Sequence, residues 1–238
     1  MNNLFIYGCS HSVGHNIPNE KFWGYLLSQR LNLNLVGTLC SGKGLGHIIS
    51  SLFRDIYNKS IKEGDVVIWN TSYPSRFTSP KINSDIYHFI HGQDSLQREE
   101  YKIVDNGKKK RLWASDMDMV NYWFQETVVG YDILKSMGIE TYQWTLLGIE
   151  ELSDLLKMAH KWRPSEMELD RPISSWENLI PSPSGYQDWS WFIESNEYMI
   201  GEFQGGIDAH MNVKGHEVFY NHFYNRIKEI RDNGRNKT

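Results

Sequence analysis

The chain has 238 residues, with 25 basic and 29 acidic side chains and a formal net charge of −4. That length suits one large α/β domain with a proper core, and so mild a charge excludes a broad nucleic-acid surface. Two cysteines, Cys9 and Cys40, exclude a disulfide framework and a cysteine metal cluster and suit a reducing compartment.

No apolar run approaches the roughly 18 residues of a membrane span, and the N-terminus carries no basic-then-apolar leader. A cytoplasmic protein with neither membrane nor nucleic acid as partner is expected. Aromatic content is high, with 9 Trp and 13 Tyr, several of them in polar stretches. Exposed aromatics of that kind mark binding surfaces, sugar rings among the candidates.

Leu4 to Tyr7 is a strand-forming apolar run that passes straight into Gly8, as a buried parallel strand does. A helix is predicted near Glu20 to Leu31, with Phe22, Trp23, Leu26, Leu27 and Leu31 roughly on one face. Leu33 to Val36 is a short second strand. The small-residue loop from Cys40 to Gly46 opens a second helix, with Ile48, Ile49, Leu52, Phe53 and Ile56 as its stripe. Asp65 to Trp69 is the clearest buried strand. This β-α-β-α-β order implies a parallel sheet with right-handed crossovers.

Asn70 to Arg76 reads as a polar loop, and 78–115 fits no βα unit. Within it, Tyr101 to Val104 and Lys108 to Trp113 flank Asp105-Asn106-Gly107, a hairpin signal. The stretch reads as an insertion over the site, its run Lys108-Lys109-Lys110-Arg111 a solvated face. Ser115 or Asp116 caps a long helix to about Met137. Ile139 to Leu146 is the fourth core strand, and Glu150 to Trp162 is helical. Arg163 to Gln204 is irregular, and its aromatics between Trp176 and Tyr198 form either a substrate platform or a cover packed on the core. Val213 to Arg231 is the closing helix, with Val218, Phe219, Phe223, Ile227 and Ile230 inward, and 232–238 is expected to fray. No repeat or linker divides the chain, so residues 1–238 read as a single domain.

Two stretches carry chemistry. Ser10 falls at the carboxyl end of the first strand, where ligands bind in open α/β sheets. Near the other end, Asp208 and His210 stand two residues apart in what reads as a loop before the last helix. A serine hydroxyl needs a base within hydrogen-bond reach, and an imidazole is suited to the task at neutral pH. An acid beside the imidazole would fix its tautomer. Against this stand plainer readings: Ser10 as a turn residue, Cys9 as a packed small hydrophobe, His11 as a surface residue or a substrate contact, His216 as a structural hydrogen-bonding residue. Gly44 and Gly46 lack the Gly-Lys-Ser/Thr that a phosphate loop requires.

Gly8-Cys9-Ser10-His11-Ser12 resembles the first block of the SGNH (GDSL-type) hydrolases, Gly-Asp-Ser-x-Ser, in which the middle serine is the nucleophile. Asp208-Ala209-His210, with Asn212 and Gly215-His216, resembles the last block. Gly42 matches the second by position. The resemblance implies a three-layer α/β/α sandwich around a flavodoxin-like parallel sheet. It also implies Ser10, His210 and Asp208 as nucleophile, base and orienting acid, and the N–H groups of Ser10 and Gly42 as oxyanion donors. Three features depart from the pattern. Cys9 replaces the usual Asp, as in a Gly-Cys-Ser branch of phage and bacterial type. Asp208 and His210 are separated by one residue, not two. The third block, Gly-x-Asn-Asp, is absent, leaving Asn70, or Thr71 or Ser72, as the further donor. The implied reaction is hydrolysis of a small acyl ester, acetyl-like and on a carbohydrate, with no metal or organic cofactor. The alternatives are acyl transfer by the same triad and a non-catalytic carbohydrate- or protein-binding module on the same fold.

Overall fold

The computed structural model describes residues 1–8, 10–12, 14, 17–39, 45–71, 76–79, 84–87, 99–105, 108–114, 127–146, 178–183, 189–193, 195, 197–203 and 206–235. In chain order the strands are β1 (Asn3–Gly8), β2 (Asn34–Leu39), β3 (Val66–Asn70), β4 (Arg76–Ser79), β5 (Ser84–Tyr87), β6 (Glu99–Asp105), β7 (Lys108–Ala114), β8 (Glu140–Trp144), β9 (Met199–Phe203) and β10 (Gly206–Met211). The helices are α1 (Trp23–Leu31), α2 (Leu45–Tyr57), α3 (127–136), α4 (Trp189–Ile193) and α5 (Val213–Arg235), with 3-10 turns at Ser10–Ser12 and Asn19–Lys21.

Four strands form a parallel sheet in the order β2-β1-β3-β8, the flavodoxin-like order expected. Beyond β8 a parallel bridge joins Gln143 to Leu179, and the Ile180 N–H donates to the Gln143 carbonyl at 2.8 Å. That single bridge sets a short piece of the stretch expected to be irregular against the outer edge of β8. Leu4 to Tyr7 and all of β3 are buried, because helices cover both faces of the sheet.

The alternation along the strands sorts the two faces. Leu4, Ile6, Val66, Ile68, Tyr142 and Trp144 pack with Trp23 and Leu27 of α1 and with Phe219, Phe223 and Ile227 of α5. On the other face, the Tyr7 hydroxyl donates to Asp55 of α2 at 2.8 Å. There, too, a Cβ placed on Gly130 of α3 would meet Ile49 and Trp69 within 3 Å. The result is the three-layer arrangement expected.

An aromatic cluster fills the first face. Trp189 of α4 lies 4.3 Å from Phe219 between ring centroids, and Trp144 lies 5.1 Å from Phe219. Trp189 and Phe192 are fully buried. These members of the aromatic stretch are therefore a cover packed on the core, not a platform; Trp176 lies outside the described residues.

Several boundaries differ from expectation. A 3-10 turn at Asn19–Lys21 precedes α1, whose C-terminus is closed by Asn32 in the left-handed region (φ 55°), a conformation Asn tolerates well. The expected hairpin is present as β6 and β7, paired from Glu99↔Ala114 to Asp105↔Lys108. A second hairpin, β4 with β5, had no clear turn signal. The closing helix runs on to Arg235, so the fraying expected from Asp232 onwards does not begin there. The start of the long helix before α3 and the helix expected at Glu150 to Trp162 lie outside the described residues.

At the amino end of β8, Glu140 accepts from Arg231 through both carboxylate oxygens, at 2.6 and 3.1 Å. It also accepts from the Tyr142 hydroxyl. Burial, together with the Glu140 carboxylate, pushes the Tyr142 phenol well above its usual range. Glu140→Ala leaves that buried hydroxyl without its partner, so a loss of roughly 1–3 kcal/mol is expected in a urea unfolding curve. An unchanged midpoint would show that the cluster is ornamental to stability.

Candidate active site

The carboxyl ends of β1, β3 and β8 lie along one edge of the sheet, with Tyr7 opposite Trp69 and Asn70 opposite Trp144. That edge is where open α/β sheets bind ligands. A Cβ on Gly8 would lie 2.0 Å from the Ser12 hydroxyl and 2.9 Å from the Asn70 Cβ. Only glycine allows the 3-10 turn Ser10–Ser12 to fold back so closely onto the end of its own strand. Ser12, the last residue of that turn, is completely buried.

Asn70 and Thr71 end β3, and both are buried. The Asn70 side-chain amide donates to the Trp144 carbonyl at 3.4 Å, and the Thr71 N–H donates to the same oxygen at 3.0 Å. This carbonyl pins both residues to the sheet edge. Cys9, Gly42 and Ser72 lie outside the described residues. For Ser10 and Asp208 the description is of the backbone.

Asp208 and His210 stand on β10, which pairs antiparallel with β9. They were expected in a loop. Pairing runs from Gly206↔Phe203 to Asp208↔Gly201 and then shifts, with Met211 opposite Met199. One extra residue is thus accommodated around His210. Bulges of this kind re-aim a side chain where a ladder breaks.

The last block is tied down by Asn212. Its Oδ1 accepts from the Gly215 N–H at 2.9 Å, capping α5, and its amide donates to the Glu197 and Met199 carbonyls at 3.0 Å each. A Cβ on Gly215 would come within 2.8 Å of the Tyr198 carbonyl, so glycine is required where α5 passes β9. His216 is 1 % exposed, and its Nδ1 accepts the first N–H of α1, from Trp23, at 3.4 Å. Burial, and secondarily the nearby His210, lower its pKa to about 4. It is the structural hydrogen-bonding residue expected.

The two ends of the chain meet here. The 3-10 turn Ser10–Ser12 packs against β10, and the His11 and His210 rings lie 5.2 Å apart between centroids, tilted by 38°. The His11 Nδ1 and His210 Nε2 are both shielded from solvent.

No family model matches the sequence, and no curated protein does. Solved structures do. A protein of the G-D-S-L lipolytic family from Desulfitobacterium hafniense DCB-2 superposes with a TM-score of 0.50 at 10% identity, over 95% of this chain and 99% of that one. The esterase EstA from Pseudoalteromonas sp. gives 0.53 at 11% identity, over 98% and 100%. TesA gives 0.51 at 13% identity, over 96% and 99%. The chain has the fold of the GDSL (SGNH) hydrolases.

On this fold, the turn that carries Ser10 packs against β10, the strand that carries Asp208 and His210. Asn70 and Thr71 line the end of β3. The residue that sequence reasoning undervalued is His11, read there as a surface histidine or a substrate contact. A ring beside a strand-end serine gave no periodic signal; only the approach of β10 reveals its neighbour. Among the described residues, no group of three His, Cys, Asp or Glu side chains could hold a metal, and no helix is long and apolar enough to cross a membrane.

Proposed function

We propose that the protein is a serine esterase that hydrolyses a small, acetyl-like acyl ester carried by a carbohydrate. The observation that supports this most is the packing of the turn Ser10–Ser12 against β10, with His11 and His210 ring to ring. It joins the strand-end serine to the acid–histidine strand on a GDSL fold. The carbohydrate and acetyl preferences rest on the habits of the resembled family and on the aromatic-rich sequence.

The Ser10 hydroxyl attacks the ester carbonyl carbon while His210 takes its proton. Asp208 fixes the imidazole tautomer and stabilises the imidazolium. The N–H groups of Ser10 and Gly42 hold the oxyanion, with Asn70 or Thr71 as the third donor, each such donor contributing roughly 3–4 kcal/mol. Collapse of the tetrahedral adduct breaks the bond to the alcohol, which leaves with the proton from His210. Water, deprotonated by His210, then attacks acyl-Ser10 and releases the carboxylic acid and the free serine.

The EstA structure is inhibited by monoethylphosphonate, which recommends a phosphorus electrophile as the probe. A fluorophosphonate is expected to label the protein at Ser10, as mapped by peptide mass, and to leave folded Ser10→Ala unlabelled. Absence of label on folded wild type would favour a binding module on this fold. Label at Cys9 would name a different nucleophile.

A further inference from the structure

His210 stands where the β9–β10 ladder shifts register, in a two-stranded sheet, three residues before α5 begins. The terminal torsion of a histidine is broad, so its ring plane is set by whatever packs against it. Along β10 the approach from the first block is the His11 ring, 5.2 Å away and tilted by 38°.

His11, by contrast, is firmly placed. It lies in the turn whose return path is fixed by the contact of Ser12 with Gly8. Its carbonyl accepts from the Trp23 Nε1 at 3.4 Å. Trp23 is fully buried and packs within the aromatic core, tilted by 42° against Phe219 at 5.0 Å. A run of contacts therefore leads from the core through Trp23 to His11 and ends on the His210 ring.

We infer that His11 is a positioning residue, its ring bracing the His210 imidazole in the orientation that serves the strand-end serine. This rests on the esterase reading above. A general base must sit within roughly 2.6–3.2 Å of the proton it takes, and a ring freed to rotate moves its nitrogens by about 1 Å, enough to slow a reaction by about 100-fold. The brace needs a flat ring at this position, not a titrating nitrogen.

The test is fluorophosphonate inactivation of wild type, His11→Ala, His11→Phe and His11→Leu, each first checked for a cooperative thermal transition. In His11→Ala the maximal inactivation rate constant is expected to fall by roughly 10- to 100-fold, with the half-saturating probe concentration within about twofold of wild type. His11→Phe, which keeps a planar ring, is expected to recover most of the rate. His11→Leu, which fills the space without a plane and serves if the alanine variant does not fold, is expected to stay slow. A wild-type rate in His11→Ala or His11→Leu overturns the brace, as does a folded His11→Phe no faster than His11→Leu. Failure of wild type itself to label at Ser10 overturns the esterase reading and the brace with it, an outcome distinct from variants that label as fast as wild type.

Discussion

Turnover of para-nitrophenyl acetate is expected to fall by roughly 10^4- to 10^6-fold when His210 is replaced by alanine, because in the proposed esterase nucleophile and base act as one unit and lose nearly everything together. The side chain is only half-buried, and its ring touches His11 at the rim of the core. Its removal therefore leaves the aromatic cluster untouched, and the thermal midpoint should move little. Asp208→Ala should cost about 10- to 100-fold less than His210→Ala, since an acid that orients the imidazole contributes less than the base itself. The double variant Ser10→Ala/His210→Ala should be no slower than either single one. Additive losses, or His210→Ala within tenfold of wild type, would remove His210 from the reaction. The measurement is steady-state turnover with matched unfolding curves.

Acid should weaken the fold through His216. Its imidazole is buried and acts as acceptor for the first N–H of α1, a role that only the neutral ring can play. Protonation would turn the acceptor into a donor and set a positive charge at a helix N-terminus, where the dipole disfavours it. The pKa lies at about 4 in the folded protein against 6.5 ordinarily. Above pH 6.5 the ring is neutral in both states and stability is complete. As pH falls from 6.5 towards 4, the unfolded chain binds a proton that the folded one refuses, so stability drops. Below about pH 4 the loss is complete, at roughly 3 kcal/mol. His216→Gln keeps an acceptor that does not titrate. Its unfolding free energy should therefore fall less steeply than wild type between pH 6.5 and 4, although His222, whose pKa burial also lowers, keeps titrating in both proteins. Equal slopes in urea titrations would remove His216 as the cause.

The parallel sheet was legible in the sequence because its strands are buried on both faces. Leu4 to Tyr7 and Val66 to Trp69 are unbroken apolar runs, and such runs admit few other placements. The stripe of α5 was legible for a similar reason: Phe219, Phe223 and Ile227 repeat at helical spacing and all three are fully buried. The β9–β10 hairpin was not, since a short two-stranded ribbon needs little apolar alternation, and Asp208 and His210 there read equally well as loop. The bridge at Leu179 was invisible, because a single bridge leaves no periodicity.

By itself, then, the sequence determined the order of sheet and helices, the serine at a strand end and the acid–histidine pair before the last helix. Each is a local property: an apolar run, a glycine-bounded turn, a spacing of two. The roles of Asn212 and Gly215 were half-visible as spacing, but their reasons are not local. One caps α5 while holding the Glu197 and Met199 carbonyls, and the other clears the Tyr198 carbonyl. Tertiary structure alone decided that His11 lies on His210, that His216 caps a helix 193 residues away in sequence, and that Trp189 belongs to the core. The first two are contacts between segments at opposite ends of the chain, and the third sets Trp189 against Trp144, Phe219 and Phe223. Their partners are chosen by how the layers pack over the sheet, and no stretch of sequence records that choice.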